Sequence, residues 1–159
     1  MKRMMMVTIA FLVFSSFALF GQSYQSAETS IKQEAQDTAA ADSKVLREYR
    51  GIKLGLKRDV VRSTMGKPEN LTDNSEDYKL TGEDMMTVHY DNNEVKAIQL
   101  QFLDPKNAPA WDTVVGDAEV TQLENGAKHA RKVIAKENFW VSIYQNKDAS
   151  ITRVTISKQ

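Results

Sequence analysis

The sequence predicts an α+β fold, in which short helices pack on an antiparallel β-sheet. Apolar and polar residues alternate in several segments, as expected for strands whose side chains point to opposite faces in turn. One segment instead repeats apolar residues at helical spacing, and turn-forming residues separate the segments. The alternating segments are 86–90, 98–102, 139–144 and 151–157, and the helical one is 57–65.

The helix over 57–65 carries Val60, Val61 and Met65 on adjoining positions. Gly66 and Pro68 follow, and this pair ends a helix because glycine accepts a positive φ and proline cannot continue the helix. We expect Val61 and Met65 to cover the inner face of the sheet. The polar run 69–77 predicts a loop.

Strands dominate the rest of the chain. A hairpin is predicted from 86–90 and 98–102, turned by Asp91–Glu94. Trp111, Val114 and Val115 predict a helical turn closed by Gly116, and further strands follow near 119–123, 129–135, 139–144 and 151–157. Segments 49–103 and 110–159 have the same predicted order of elements, a helix followed by strands. This suggests two tandem helix-plus-β-meander units as pseudo-repeats.

The amino terminus has the pattern of a secretory signal peptide. Lys2 and Arg3 precede an uncharged, mostly apolar run from Met4 to Phe20, and small residues follow. This run is shorter than a typical membrane-spanning helix, which needs about 20 residues. The alternative is that the run stays uncleaved and anchors the protein. Such an anchor would be the only expected contact with a membrane. The predicted organisation is a signal peptide (1–21), a disordered polar spacer (22–47) and one α+β domain (48–159) in a periplasmic or extracellular protein.

Composition excludes several classes of function. The chain has no cysteine, which excludes a disulfide, a thiol nucleophile and a lipid-modified amino-terminal cysteine. Lysine and arginine number 21 against 21 acidic residues, and removal of Lys2 and Arg3 leaves 19 against 21, near −2. We therefore expect no nucleic-acid partner.

No catalytic, cofactor or metal motif is present in the sequence. His89 and His129 lack the spacing of metal ligands, and the acidic runs 73–77 and 83–84 are expected to be solvated loops rather than calcium sites. We therefore predict no enzyme activity, no cofactor and no metal. The candidate partner-binding residues are Trp111, Trp140, Tyr144 and His89; for the two tryptophans, core packing is the competing interpretation.

A family resemblance lies at the start of the domain. Tyr49–Leu56, Val60-Val61 and Met65-Gly66-Lys67-Pro68 resemble the opening of the SmpA/OmlA (BamE-like) envelope domains, and are similar to the related fold of the β-lactamase inhibitory proteins. BamE proteins are lipoproteins, whereas this chain has no cysteine to acylate. The resemblance implies an exported protein-binding or scaffold module. The alternatives are an inhibitor-like protein that binds an enzyme through its sheet and loops, and an enzyme whose site has no sequence motif.

Signal-peptide cleavage is testable by mass. We expect the exported protein to begin between Leu19 and Ala27, because small residues there follow the apolar run. Intact-mass measurement of the purified protein checks this, and a membrane-bound species that retains Met1 would contradict it.

Overall fold

The structure, a computed structural model, describes residues 44–159. The predicted signal peptide and residues 22–43 of the predicted spacer lie outside the described residues. Ten strands are described: β1 (Glu48–Tyr49), β2 (Ile52–Lys53), β3 (Asn70–Leu71), β4 (Ser75–Lys79), β5 (Met85–Asp91), β6 (Glu94–Phe102), β7 (Thr121–Gln122), β8 (Lys128–Ile134), β9 (Phe139–Gln145) and β10 (Thr152–Lys158). The helices are α1 (Arg58–Met65), α2 (Trp111–Val115) and a 3-10 turn (Ala135–Glu137).

Eight of these strands form one antiparallel sheet in the order β3-β4-β5-β6-β10-β9-β8-β7. β6 and β10 pair at its centre, where Ile98 lies opposite Ile156 and Leu100 opposite Val154. The short strands β1 and β2 form a separate hairpin.

The predicted α+β class is therefore wrong, because one large antiparallel sheet dominates the described residues. The helical spacing at 57–65 is real, but α1 is only 8 residues long and α2 only 5. The segments of the predicted pseudo-repeats, 49–103 and 110–159, are joined by the β6–β10 pair into a single continuous sheet. The polar run 69–77 is not a plain loop: it contributes β3 and most of β4.

The core lies on one face of the sheet. Its strands supply apolar side chains at alternate positions, and most of these are buried completely. In β6 the alternation shifts at Lys96, where a β-bulge places Val95 opposite Tyr90 and Ala97 opposite His89. The bulge explains why Val95 and Ile98, three positions apart, are both buried.

The covering layer comes from α1, α2 and the segment before β1. Val61 of α1, and Val114 and Val115 of α2, are buried in the core, and α2 contacts β8 and β9. Val45 is also buried, and the Leu46 amide donates to the Val114 carbonyl at 3.0 Å. Val45 and Leu46 therefore pack against this domain although they precede the predicted boundary at residue 48. Val45 and Leu46 form an apolar pair whose partner α2 is far away in the sequence.

Helix α1 ends as the Gly66 and Pro68 signals predict. Gly66 has φ +83° and ψ −152°, and its amide donates to the Arg62 carbonyl at 2.9 Å. This conformation suits glycine and strains other residues. Met65 is only partly buried, so Val61 alone on α1 is fully enclosed. Within residues 44–159, no helix is long and apolar enough to cross a membrane.

Val60 and Val61 form a matched pair for testing how α1 packs. Val61 is 0% exposed and Val60 is 43% exposed. We expect Val61→Ala to lower the free energy of unfolding by about 1.5–3 kcal/mol, because it leaves a cavity. Val60→Ala should change it by less than about 0.5 kcal/mol. Urea melts of both variants measure this, and equal losses would show that α1 does not pack as described.

Candidate functional site

The face of the sheet opposite the core is uncovered within the described residues. We call it the open face; it carries the alternate side chains of β4, β5, β6, β10, β9 and β8. Strand register arranges these side chains in rows. One row runs Asp77, Thr87, Gln99, Thr155, Ser142 and Arg131; the next runs Lys79, Met85, Gln101, Arg153, Tyr144 and His129.

A shallow groove of about 410 Å³ crosses the centre of the open face. Its lining is mainly polar: Asp77, Thr87, Gln99, Gln101, Arg153 and Thr155, with Met85. The Thr87 hydroxyl donates to Asp77 Oδ1 at 2.7 Å. Amides and hydroxyls of this kind bind polar groups but do not ionise near neutral pH. The groove therefore offers hydrogen-bond donors and acceptors together with one carboxylate and one guanidinium.

The β8–β10 half of the open face differs from the rest. Arg131, Trp140, Tyr144 and Arg153 lie there, and we call these four residues the arginine–aromatic patch. The Arg131 guanidinium stacks over the Trp140 ring at 4.2 Å from its centroid. Arg153 pairs in register with Tyr144, and its Nε donates to Gln101 Oε1 at 3.1 Å. Val133, 48% exposed, lies opposite Trp140 and extends the apolar surface.

Three of the four candidate residues named from sequence lie on this face. His89, Trp140 and Tyr144 are all half-buried there. His89 and Trp140 share a row but stand three strands apart, roughly 14 Å at about 4.8 Å per strand. Trp111 does not join them: it begins α2 and packs against the core on the covered side. Core packing is thus the correct interpretation for Trp111, while Trp140 belongs to the open face.

His89 lies on the face opposite Met86, Val88 and Tyr90, as the alternation of β5 predicts. Its Nε2 atom is buried and has no hydrogen-bond partner among residues 44–159. In that part of the chain, no group of three His, Cys, Asp or Glu side chains is placed to hold a metal ion.

A buried carboxylate, Glu76, lies beneath α1 on the covered face. The Tyr78 and Tyr90 hydroxyls each donate to its Oε2 at 2.7 Å, and Arg62 Nε donates to its Oε1 at 2.7 Å. The Arg58 guanidinium stacks over the Tyr90 ring at 4.3 Å and lies 3.8 Å from Glu76 Oε1. We call these five residues the Glu76 cluster.

Electrostatics fix the protonation of the Glu76 cluster. Burial raises the pKa of Glu76, but the hydrogen bonds from Tyr78, Tyr90 and Arg62 outweigh it, so the pKa is lowered and the carboxylate stays ionised. Burial, together with the bond to Glu76, raises the pKa of Tyr78 to about 12 and also raises the pKa of Tyr90. Both hydroxyls therefore remain protonated and donate.

The expectation that both acidic runs are solvated loops is wrong for Glu76 and Asp84, which are 0% and 2% exposed. Asp84 Oδ1 accepts from the Leu103 amide at 2.7 Å, and its Oδ2 accepts from Asn107 Nδ2 at 2.8 Å. Asp84 thus anchors the connection after β6. One sequence signal for the burial of Glu76 is its position in β4, two residues before Tyr78 and therefore on the same face of the strand. Its partners Arg58, Arg62 and Tyr90 carry no such signal, because they are 14 to 18 positions away in the sequence.

The Glu76 cluster predicts how stability depends on pH. Because the folded pKa of Glu76 is lowered, its contribution is present above the ordinary value of 4.5 and is lost as pH falls through the folded value. Glu76→Gln should lower the free energy of unfolding by about 2–3 kcal/mol at pH 7. The free energy of unfolding of this variant should also decrease less steeply than that of the wild type as pH falls. Urea melts from pH 7 to pH 2.5 measure this. Glu94→Gln, which removes a half-exposed carboxylate, is the control and should change the curve less.

Two tyrosine-to-phenylalanine changes compare how much a buried hydroxyl and an open-face hydroxyl contribute to the free energy of unfolding. Tyr90→Phe removes a bond to a buried charge and should lower the free energy of unfolding by about 1.5–3 kcal/mol. Tyr144→Phe changes an open-face hydroxyl and should alter it by less than about 0.5 kcal/mol. Thermal and urea melts compare the two. Similar effects would show that the Tyr90 hydroxyl does not stabilise the fold.

Comparison with known proteins gives no match: no protein-family model, no curated protein and no solved structure matches the chain. The resemblance to BamE-like and inhibitory-protein domains therefore stays a prediction.

Proposed function

We propose that this chain is an exported, non-enzymatic envelope module of BamE-like type that binds a protein partner through the open face of its sheet. The observation that carries the proposal is the arginine–aromatic patch. Trp, Tyr and Arg are the residue types that contribute most binding energy in protein interfaces. Four residues of these types, Arg131, Trp140, Tyr144 and Arg153, lie together on the open face.

The open face is also well ordered for binding. β5, β6, β10 and β9 are each hydrogen bonded to a strand on both sides, so the side chains they present are held at fixed spacing. A surface that is rigid before binding loses little conformational entropy on association. The covered face supports this rigidity, because its apolar side chains pack in a single core.

The side chains on the open face favour binding over catalysis. The central groove combines one carboxylate, one guanidinium and several neutral polar groups. A hydrolytic site needs a nucleophile next to a base, or two positioned acid–base groups. Within residues 44–159, His89 Nε2 has no hydrogen-bond partner to activate or orient it.

Capture from the native envelope tests the proposal. Full-length chain with a carboxyl-terminal tag should retain one protein partner, and Trp140→Ala with Tyr144→Ala should reduce its recovery at least 10-fold. Leu71→Ala is the matched control: it truncates an apolar side chain that is 65% exposed at the β3 edge, and recovery should not change. Equal recovery with all variants would contradict binding through the open face. Recovery of one soluble enzyme that the chain inhibits would favour the inhibitor-like alternative.

A further inference from the structure

We propose that the partner presents an acidic protein segment to the arginine–aromatic patch, with two carboxylates that pair with Arg131 and Arg153. This inference rests on the proposed function and specifies the chemistry of the partner. Three observations support the inference: the guanidinium groups of Arg131 and Arg153 have no carboxylate partner in the described residues, their spacing fits an extended segment, and apolar side chains lie between and beside them.

Charge compensation and position on the sheet together distinguish these two arginines. Arg47, Arg58 and Arg62 each lie within ion-pair distance of a glutamate of the same chain. Among residues 44–159, Arg50, Arg131 and Arg153 pair with no carboxylate, and Arg50 lies apart from the sheet, in the turn between β1 and β2. Arg131 stacks on an aromatic ring, and Arg153 donates to a neutral amide. Both contacts hold a guanidinium in place without neutralising it, which leaves two oriented donors for an external carboxylate.

The separation of the two arginine Cα atoms gives the approximate spacing of the carboxylates. Arg131 of β8 lies opposite Ser142 of β9, which lies opposite Thr155 of β10. Arg131 is therefore two strands away from Thr155. Arg153 is also on β10, two residues before Thr155. The two Cα atoms are therefore roughly 12 Å apart, from about 4.8 Å per strand and 3.3 Å per residue. An extended segment with carboxylates four residues apart spans about 13 Å. Such a segment would cross Ser142 and Tyr144 of β9.

The surroundings favour a protein segment over a polyanion. Trp140, Tyr144 and Val133 provide apolar area beside the charges, which suits a segment that mixes acidic and apolar side chains. The chain without residues 1–21 has 19 basic against 21 acidic residues, so its long-range field does not attract nucleic acid or an anionic lipid surface. The patch is thus a local cationic site on a chain without a net cationic charge.

Site-specific cross-linking tests the proposal directly. A photoreactive phenylalanine analogue replaces Ser142, between the two arginines, in the full-length chain produced in its native envelope. Irradiation should join it to one protein, and peptide mapping should place the cross-link within about five residues of two or more Asp or Glu residues. Raising the salt concentration from 0.1 to 0.5 M should reduce the yield, since exposed ion pairs are screened.

Two double variants complete the design. Arg131→Gln with Arg153→Gln should reduce the cross-link at least 10-fold, and Lys67→Gln with Lys106→Gln, which removes the same charge elsewhere on the exposed surface, should not. Unchanged circular dichroism and melting temperature confirm folding of each variant.

Several outcomes would overturn the inference. A protein cross-linked through a neutral segment, with no effect of the arginine changes, would leave the proposed function standing and refute the acidic partner. A cross-link to lipid, to glycan or to a second copy of the chain would refute the acidic segment as the occupant of the patch. No cross-link, with capture also lost, would refute the proposed function itself.

Discussion

The buried carboxylate of Glu76 is the constraint around which the covered side of this domain is arranged. A charge removed from water is tolerated only when several donors satisfy it. Two tyrosines from β4 and β5 and an arginine from α1 donate to it, with a second arginine close by. Because α1 buries only Val61 completely, apolar contact alone holds this helix weakly, and the ionic contacts determine where it sits on the sheet.

The sheet has two unlike faces because apolar and polar side chains alternate along its strands. On the covered face, α1, α2 and the segment from Val45 enclose a continuous core that includes residues from β4 to β10. The opposite face carries the other half of each strand and remains uncovered in residues 44–159. Antiparallel sheets often leave one face to solvent, and such faces are usually polar. The arginine–aromatic patch on β8–β10 departs from that pattern, and it is the reason for proposing a binding role.

Sequence reasoning identified the elements whose side chains alternate strongly. β5, β6, β9 and β10 were predictable because one face of each is apolar, and α2 was predictable from Trp111 to Gly116. β3 and most of β4 were missed because their residues are polar and their stability depends on pairing with neighbours. The hydrogen-bond partners of Glu76 could not be predicted, since Arg62 and Tyr90 meet it only after the sheet and α1 assemble. Trp111 lies on the covered side of the sheet and Trp140 on the open face. This difference likewise could not be predicted, because it depends on the side of the sheet on which α2 packs.

A double-mutant cycle between Glu76 and Arg62 tests the central claim most directly, namely that a buried ionic contact fixes α1 on the sheet. The free energy of unfolding is measured by urea melts at pH 7 for the wild type, Glu76→Gln, Arg62→Met and the double variant. If the contact holds α1 in place, the two single changes are strongly non-additive, with a coupling energy of about 1–3 kcal/mol. Additivity within about 0.5 kcal/mol would show that the two side chains stabilise the domain independently, and would contradict a position of α1 that is fixed by this contact.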